Sequence, residues 1–373
     1  MRSGINQTLT LMHQLTPIRV LVVDDSFFMR KLLCELLEKD PSIEVVGNAK
    51  DGIEALGQAV KLKPDVITMD LNMPRMNGLT ATGAILKEPG HLPAIVMISA
   101  FTAVDAKETL ECLRAGAVDY VQKPSGELSL DIEKIADEII RKIKMAARAH
   151  VYRHKEIPLK DQKEKVEIIH ATKVIVIGAS TGGPPVVEDI IAGLPVNLGA
   201  AVLIAQHMPG YFTDKFAARL DGMSSLPVKE AEDSEAVKAN TVYLTPGGFD
   251  TTLVRKAEDG RCFIKLKKVE NTKGKLVPSI DRLMESAAEV YSGKVLGIEL
   301  TGMGKDGLAG AKAIKKSGGY FIAQSPDTAV VSSMPDEIIE AKLANEILSP
   351  KEIIKRIGEI IHNYPQNKIP HNG

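Results

Sequence analysis

The chain has 373 residues, 44% apolar and 25% charged, with 47 basic against 48 acidic side chains and a formal net charge of −1. That length accommodates two domains, the composition is that of a soluble globular protein, and the balanced charge gives no global pull toward nucleic acid or an anionic membrane surface. The three cysteines, Cys34, Cys112 and Cys262, lie far apart with no CxxC pair, which argues against a structural zinc site and for a reducing compartment.

In chain order, the opening MRSGINQTLTLMHQLTP has no apolar stretch long enough for a signal peptide, and no later run approaches the ~18 apolar residues of a membrane span. The expectation is a cytoplasmic protein with no membrane insertion. From Ile18 to about Met145, short β-rich runs (IRVLVV, IEVVG, DVITM, AIVMIS, VDYV) alternate with longer helical stretches. The last of these, over 128–147, repeats Ile132, Ile135, Ile139 and Ile143 at helical spacing. Five βα units predict a parallel sheet covered by helices on both faces, a flavodoxin-like (βα)5 domain over 18–145. Residues 148–170 are polar and aperiodic, and 146–170 is read as a linker.

From Lys173 the alternation returns. KVIVIG, AAVLIAQ, TVYL, KVLGIEL and YFIAQ read as strands; 184–194, 211–221, 279–292, 306–317 and 335–343 read as helices. This predicts a second α/β domain over 171–362, doubly wound and parallel. A β-hairpin over 251–268 turns at Asp259-Gly260. The polar tail 363–373 is read as disordered.

In a parallel α/β sheet, functional groups gather at the carboxyl ends of the strands. In the first half those ends carry Asp24-Asp25, Asp70 and Ser99, with Lys123-Pro124 after the fifth strand. Three carboxylates at one edge repel one another unless a hard divalent cation joins them, and an oxygen-only set favours Mg²⁺ over zinc. A lysine and a hydroxyl beside such a cation suit an incoming phosphoryl group, and a carboxylate can itself be the nucleophile.

These stretches, VLVVDDSFFMRKLL, DVITMDLNMPRMNGL, MISA and YVQKP, resemble a response-regulator receiver domain. The resemblance implies that Asp70 is the phosphoacceptor. It implies that Asp24, Asp25 and Asp70, with the backbone carbonyl of Asn72, hold Mg²⁺. Ser99 and Lys123 would contact the phosphoryl group, and Tyr120 stands at the place of the switch aromatic. Asn72 and Asn77 are neutral where relatives often carry an acid.

The second half opens on KVIVIGASTGGPP. A dinucleotide fingerprint needs G-x-G-x-x-G, but Ser180 stands where its middle glycine belongs. A P-loop needs a lysine and a hydroxyl after its second glycine, and here Pro184-Pro185 replace them. Gly178-Ala179-Ser180-Thr181-Gly182 instead fits G-x-S-x-G, a sharp turn presenting a serine between a strand and a proline-started helix. The N–H groups opening that helix are candidates to stabilise an oxyanion. A serine needs a base, and His207, just past the next strand, is the only histidine between Lys173 and Ile361. A carboxylate to orient it is available in Asp306, in a glycine-rich loop opening a later helix, although Asp306 could equally cap that helix.

IGASTGGP, QHMP, VPSIDRLMESAAEVY and TGMGKDGLAG are similar to the catalytic domain of the chemotaxis protein-glutamate methylesterase (CheB) family, and the receiver–linker–esterase order matches as well. The resemblance implies hydrolysis of glutamyl methyl esters, and deamidation of glutamines, on methyl-accepting chemoreceptors, activated by a phosphodonor sensor histidine kinase. Ser180 would be the nucleophile, His207 the base and Asp306 its orienting acid, with the Met303 N–H in the oxyanion hole and Thr181 lining the site. No cofactor is expected for ester hydrolysis. Phe249-Asp250 stands where relatives often place a histidine. A transcription factor is disfavoured because no compact helix-turn-helix follows the linker. A catalytically degenerate phosphate sink is disfavoured by the intact Ser180, His207 and Asp306.

Overall fold

The computed structural model describes residues 16–99, 103–123, 131–152, 157–159, 169–257, 260–270 and 277–363. Residues 364–373 of the tail read as disordered, the Asp259 turn, Pro124 and most of the expected linker lie outside the described residues, while Asn363, placed in that tail, ends a helix. The chain divides into two compact units, each built on its own parallel sheet.

The first sheet comprises β1 (Ile18–Val23), β2 (Ile43–Ala49), β3 (Val66–Asp70), β4 (Ala94–Ser99) and β5 (Asp119–Gln122), in the order β2-β1-β3-β4-β5. All pairs are parallel. This is the flavodoxin-like order, with its switch point between β1 and β3. The connecting helices are α1 (Phe27–Leu37), α2 (Gly52–Leu62), α3 (Gly78–Ile85) and α4 (Ala103–Ala115), and α5 (Asp131–Ala146) follows β5. β3 and β4 are buried along their full length because helices cover both faces, which is why they read as unbroken apolar runs. Helix starts are fixed by side-chain acceptors. Ser26 accepts from Met29 N, Asp51 from the N–H groups of Ile53 and Glu54, and Asn77 from Thr80 N.

The second sheet has seven parallel strands in the order β14-β13-β12-β6-β7-β9-β8. They are β6 (Val174–Ala179), β7 (Ala201–Gln206), β8 (Val228–Glu230), β9 (Val242–Leu244), β12 (Val295–Glu299), β13 (Tyr320–Gln324) and β14 (Glu346–Leu348). The chain first builds outward from β6 through β7, then returns to β12 on the other side of β6. The order therefore reverses between β6 and β12, the crevice where doubly wound sheets place their sites. The helices are α6 (Gly183–Ala192), α7 (Gly210–Met223), α8 (Ile280–Tyr291), α9 (Leu308–Lys316), α10 (Ser333–Glu340) and α11 (Pro350–Asn363). β10 (Phe249–Arg255) and β11 (Cys262–Lys268) form the expected antiparallel hairpin.

Three elements were not anticipated. β8 and β14 are three-residue strands at the sheet's two edges, too short to show a period. α11 was overlooked, although Ile353, Ile357, Ile360 and Ile361 form a buried stripe at helical spacing. The expected helix 306–317 starts at Leu308 instead, because the Asp306 carboxylate is turned away from it.

Candidate active site

Strand register brings the first two candidates together. Ala179 pairs with Gln206 across β6 and β7, so Ser180 and His207 each emerge one residue past a paired position. Pairing continues into the turns: His207 N donates to Ala179 O at 3.0 Å and Ser180 N to Thr301 O at 3.0 Å. His207 Nδ1 lies 3.0 Å from Ser180 Oγ, and Nε2 lies 2.9 Å from Asp306 Oδ2. An ionised carboxylate can only accept, so Nε2 carries the proton and the Nδ1 lone pair faces the serine hydroxyl. The imidazole is 6% exposed and Asp306 13%, so the line of contacts is largely shielded from water.

Asp306 does not cap the helix that follows it. Its Oδ2 accepts from Ile280 N and its Oδ1 from Asp281 N, both at 2.9 Å, at the start of α8. Ser279 Oγ adds a contact at 3.3 Å. Asp281 returns the exchange, its Oδ1 accepting from Gly307 N at 2.9 Å and Gly310 N at 2.8 Å at the start of α9. Each helix start is thus satisfied by an acid from the other, where the helix dipole favours negative charge. Burial pushes the Asp306 carboxyl up, but the His207 contact and these two backbone donors outweigh it and hold it below the usual carboxylate range.

The serine turn is tight. Gly182 has φ +72°, and a Cβ there would collide with Val330. Gly183 N donates to Ser180 O at 2.8 Å, and Gln206 Nε2 donates to the same oxygen at 2.9 Å. One expectation is thereby corrected. The start of α6 is a poor source of oxyanion donors, because the Gly183 N–H is spent on Ser180 O and Pro184 and Pro185 have none. The loop after β12 comes up against Ser180: a Cβ added to Gly302 would stand 2.7 Å from Ser180 Cβ. Met303 sits in this loop, and the Thr181 carbonyl accepts from Thr301 Oγ1 at 3.0 Å.

In the first unit, Asp24, Asp25 and Asp70 offer carboxylate oxygens all within 4.8 Å of one another. Lys123 Nζ lies 2.9 Å from Asp24 Oδ2 and 2.8 Å from Asp70 Oδ1. Lys123 N donates to Ser99 O at 2.8 Å, which brings the buried Ser99 to the same edge. Burial pushes Asp70 up to about 6, and Asp24 adds to this while Lys123 opposes it. The Oδ2 of Asp70 is buried with no hydrogen-bond partner among the described residues. An orphaned oxygen within an all-oxygen cluster fits a hard divalent cation. Asn72 is exposed at the same strand end. Tyr120 is buried on β5, with Lys142 Nζ 4.9 Å from its ring centroid.

A response regulator receiver domain family model matches residues 20–133, and a CheB methylesterase family model matches residues 175–357. A protein named protein-glutamate methylesterase/protein-glutamine glutaminase from Thermotoga maritima is 42% identical over 348 residues, 92% of this chain and 98% of that protein. The chain belongs to the CheB protein-glutamate methylesterase/protein-glutamine glutaminase family. A second relative of that name, numbered 2, from Carboxydothermus hydrogenoformans, is 44% identical over 358 residues, 93% of this chain and 100% of that one. The crystal structure of the Thermotoga maritima CheB methylesterase catalytic domain matches 50% of this chain and 98% of its own, at 43% identity and a TM-score of 0.48. Among the described residues of this CheB family member, no helix is long and apolar enough to cross a membrane.

Sequence reasoning on this methylesterase family member missed Gln206, Ser279, Asp281 and Glu299. Each is polar at the end of an apolar strand or the start of a helix, which was the available signal. Glu299 is the extreme case. It ends β12 fully buried, and neither carboxylate oxygen has a hydrogen-bond partner among the described residues. It fills the space against Gly178 and Gly307, where a Cβ on either would press on its carboxyl group. Burial pushes Glu299 well above the carboxylate range, and the charges of Asp306 and Asp281 push the same way.

Proposed function

We propose that this chain hydrolyses glutamyl methyl esters, and glutamine side-chain amides, on methyl-accepting chemoreceptors. Ser180 is the nucleophile, His207 the base and Asp306 the acid that orients it. The observation that carries this reading is the unbroken line from Ser180 Oγ to His207 Nδ1, 3.0 Å, and from His207 Nε2 to Asp306 Oδ2, 2.9 Å.

In this reading Ser180 Oγ bonds to the side-chain carbonyl carbon while its proton passes to Nδ1. The resulting imidazolium is stabilised through Nε2–H by Asp306. Negative charge on the carbonyl oxygen is met by the Met303 N–H, and Thr181 lines the site. Collapse returns the Nδ1 proton to the departing methoxy oxygen, or to the amide nitrogen of a glutamine, releasing methanol or ammonia. Water, deprotonated by His207, then attacks the acyl-serine and frees a glutamate.

Asp70 is the phosphoacceptor, with a sensor histidine kinase as donor. Asp24, Asp25, Asp70 and the Asn72 backbone carbonyl would hold Mg²⁺, which when bound neutralises the carboxylates and the phosphoryl oxygens. Lys123 and Ser99 contact the phosphoryl group, and Tyr120 is the switch aromatic. The receiver spans 18–145, the linker 146–170 and the esterase 171–362. Phosphorylation at Asp70 raises esterase turnover.

The test is methanol release from methylated receptor membranes, with and without a small-molecule phosphodonor and Mg²⁺. The reading expects phosphodonor-stimulated release that Ser180→Ala abolishes. Release that persists in that variant removes the proposed triad.

A further inference from the structure

Stabilising a tetrahedral oxyanion requires donors that are aimed before the reaction begins. In the esterase unit the loop assigned to this task is Thr301-Gly302-Met303-Gly304, and two glycines make it costly to hold in one conformation. Gly304 has φ +100°, open to glycine and disfavoured for other residues. The order comes from outside, from Gln324 at the end of β13, from Val331 and from the first two residues of α10.

Thr301 anchors one end. Its N–H donates to Gln324 Oε1 at 2.8 Å, and its hydroxyl accepts from Val331 N at 2.9 Å. Gly302 N donates to Val331 O at 2.9 Å, and Gly302 O accepts from Met334 N at 3.1 Å. Ser333 then straddles Met303: its Oγ donates to Gly302 O at 3.0 Å and accepts from Gly304 N at 3.1 Å. The Gly302 carbonyl and the Met303 N–H belong to one planar peptide unit and point in opposite directions. Fixing that carbonyl fixes where the Met303 N–H points. The Gly304 N–H fixes the next peptide plane in the same way.

We infer that Ser333 is a positioning residue for the reaction, a hydroxyl clamp that holds both peptide planes flanking Met303 so that the Met303 N–H is aimed at the oxyanion. This rests on the esterase reading above and deepens it. Ser333 touches no reacting atom in this account and acts through the loop. Met334 N still holds Gly302 O when the hydroxyl is lost, so the loop stays in place; the second bond to that carbonyl and the bond that fixes the Gly304 N–H go, and the aim loosens.

The experiment uses the full chain with phosphodonor and Mg²⁺, measuring methanol release over a range of methylated receptor concentrations. Removing an oxyanion donor outright costs ~10²–10³ in kcat, so misaiming one in Ser333→Ala is expected to cost about 10-fold, with KM within about twofold. Ser333→Thr keeps a hydroxyl and should restore most of the rate. Labelling of Ser180 by a fluorophosphonate should slow in parallel, because its phosphoryl oxygen occupies the same donors. Should Ser333→Ala fail to fold, Ser333→Gly removes the same hydroxyl and carries the same expectation. An unchanged kcat in the folded hydroxyl-free variant overturns the inference, as does a loss that Ser333→Thr shares in full or one confined to KM. Ser180→Ala runs beside them: if wild type releases no more methanol than that variant, the esterase reading itself falls and this inference with it.

Discussion

Replacing Glu299 with glutamine keeps the shape of the side chain and removes its titration, which isolates the effect of a buried acid. Glu299 is fully buried, its oxygens are unpartnered among the described residues, and burial with the nearby Asp306 and Asp281 raises it well above the ordinary 4.5. In the window above 4.5 the folded chain therefore holds a proton that the unfolded chain has released. Stability is greatest below the unfolded value and falls as pH rises toward the folded one, by about 1.4 kcal/mol per pH unit for one proton. Glutamine has no such slope. The gap between the two proteins should therefore be smallest at about pH 4.5 and below, and should open in favour of Glu299→Gln as pH rises, by up to about 1.4 kcal/mol per unit, until the folded-state carboxyl itself titrates. Because the chain has two units, a single unfolding transition is a poor reporter. Hydrogen exchange of β6 and β12 amides, corrected for intrinsic rates, reads the seven-stranded sheet alone. A stability gap that stays flat with pH would refute the argument that this carboxyl is held protonated.

Asp306→Asn should leave the fold in place yet cut kcat by up to ~10⁴, since an amide no longer enforces the Nε2–H tautomer or stabilises the imidazolium; a loss below tenfold in methanol release would contradict that role. Gly182→Ala forces a side chain into φ +72° against Val330. The strain alone costs about 1–2 kcal/mol, so both the hydrogen-exchange protection of β6 amides and fluorophosphonate labelling of Ser180 should drop, and an unchanged protein would show that the turn has slack. Asp70→Asn should prevent acid-labile phosphate incorporation from a small phosphodonor and abolish its stimulation of methanol release, measured on the same samples.

The parts of the fold that were legible are those where one pattern decides the outcome. β3, β4, β6, β7 and β12 are buried on both faces, so their sequences are nearly continuous apolar runs. Their order in space was not legible, because nothing local says that β12 returns beside β6. Ser180 and His207 could be paired by reasoning, since adjacent parallel strands end at one edge. Asp306 was ambiguous for a physical reason. A carboxylate in a glycine-rich loop before a helix is a natural cap for that helix, and only the approach of α8, supplying Ile280 N and Asp281 N, turns it toward His207. The reciprocal role of Asp281 and the burial of Glu299 depend on the same long-range packing.

The imidazole of His207 meets the serine through the nitrogen nearer its own backbone, and the carboxylate through the outer one. In chymotrypsin-type triads the two nitrogens are used the other way round. In the proposed reaction the proton would therefore ride on a short arm, one bond closer to the main chain, with little freedom to swing toward a leaving group. Methanol and ammonia are small enough to come to it. An alkylating reagent directed at this base would leave its mark on Nδ1, and its chemistry would have to be shaped for the inner face of the ring.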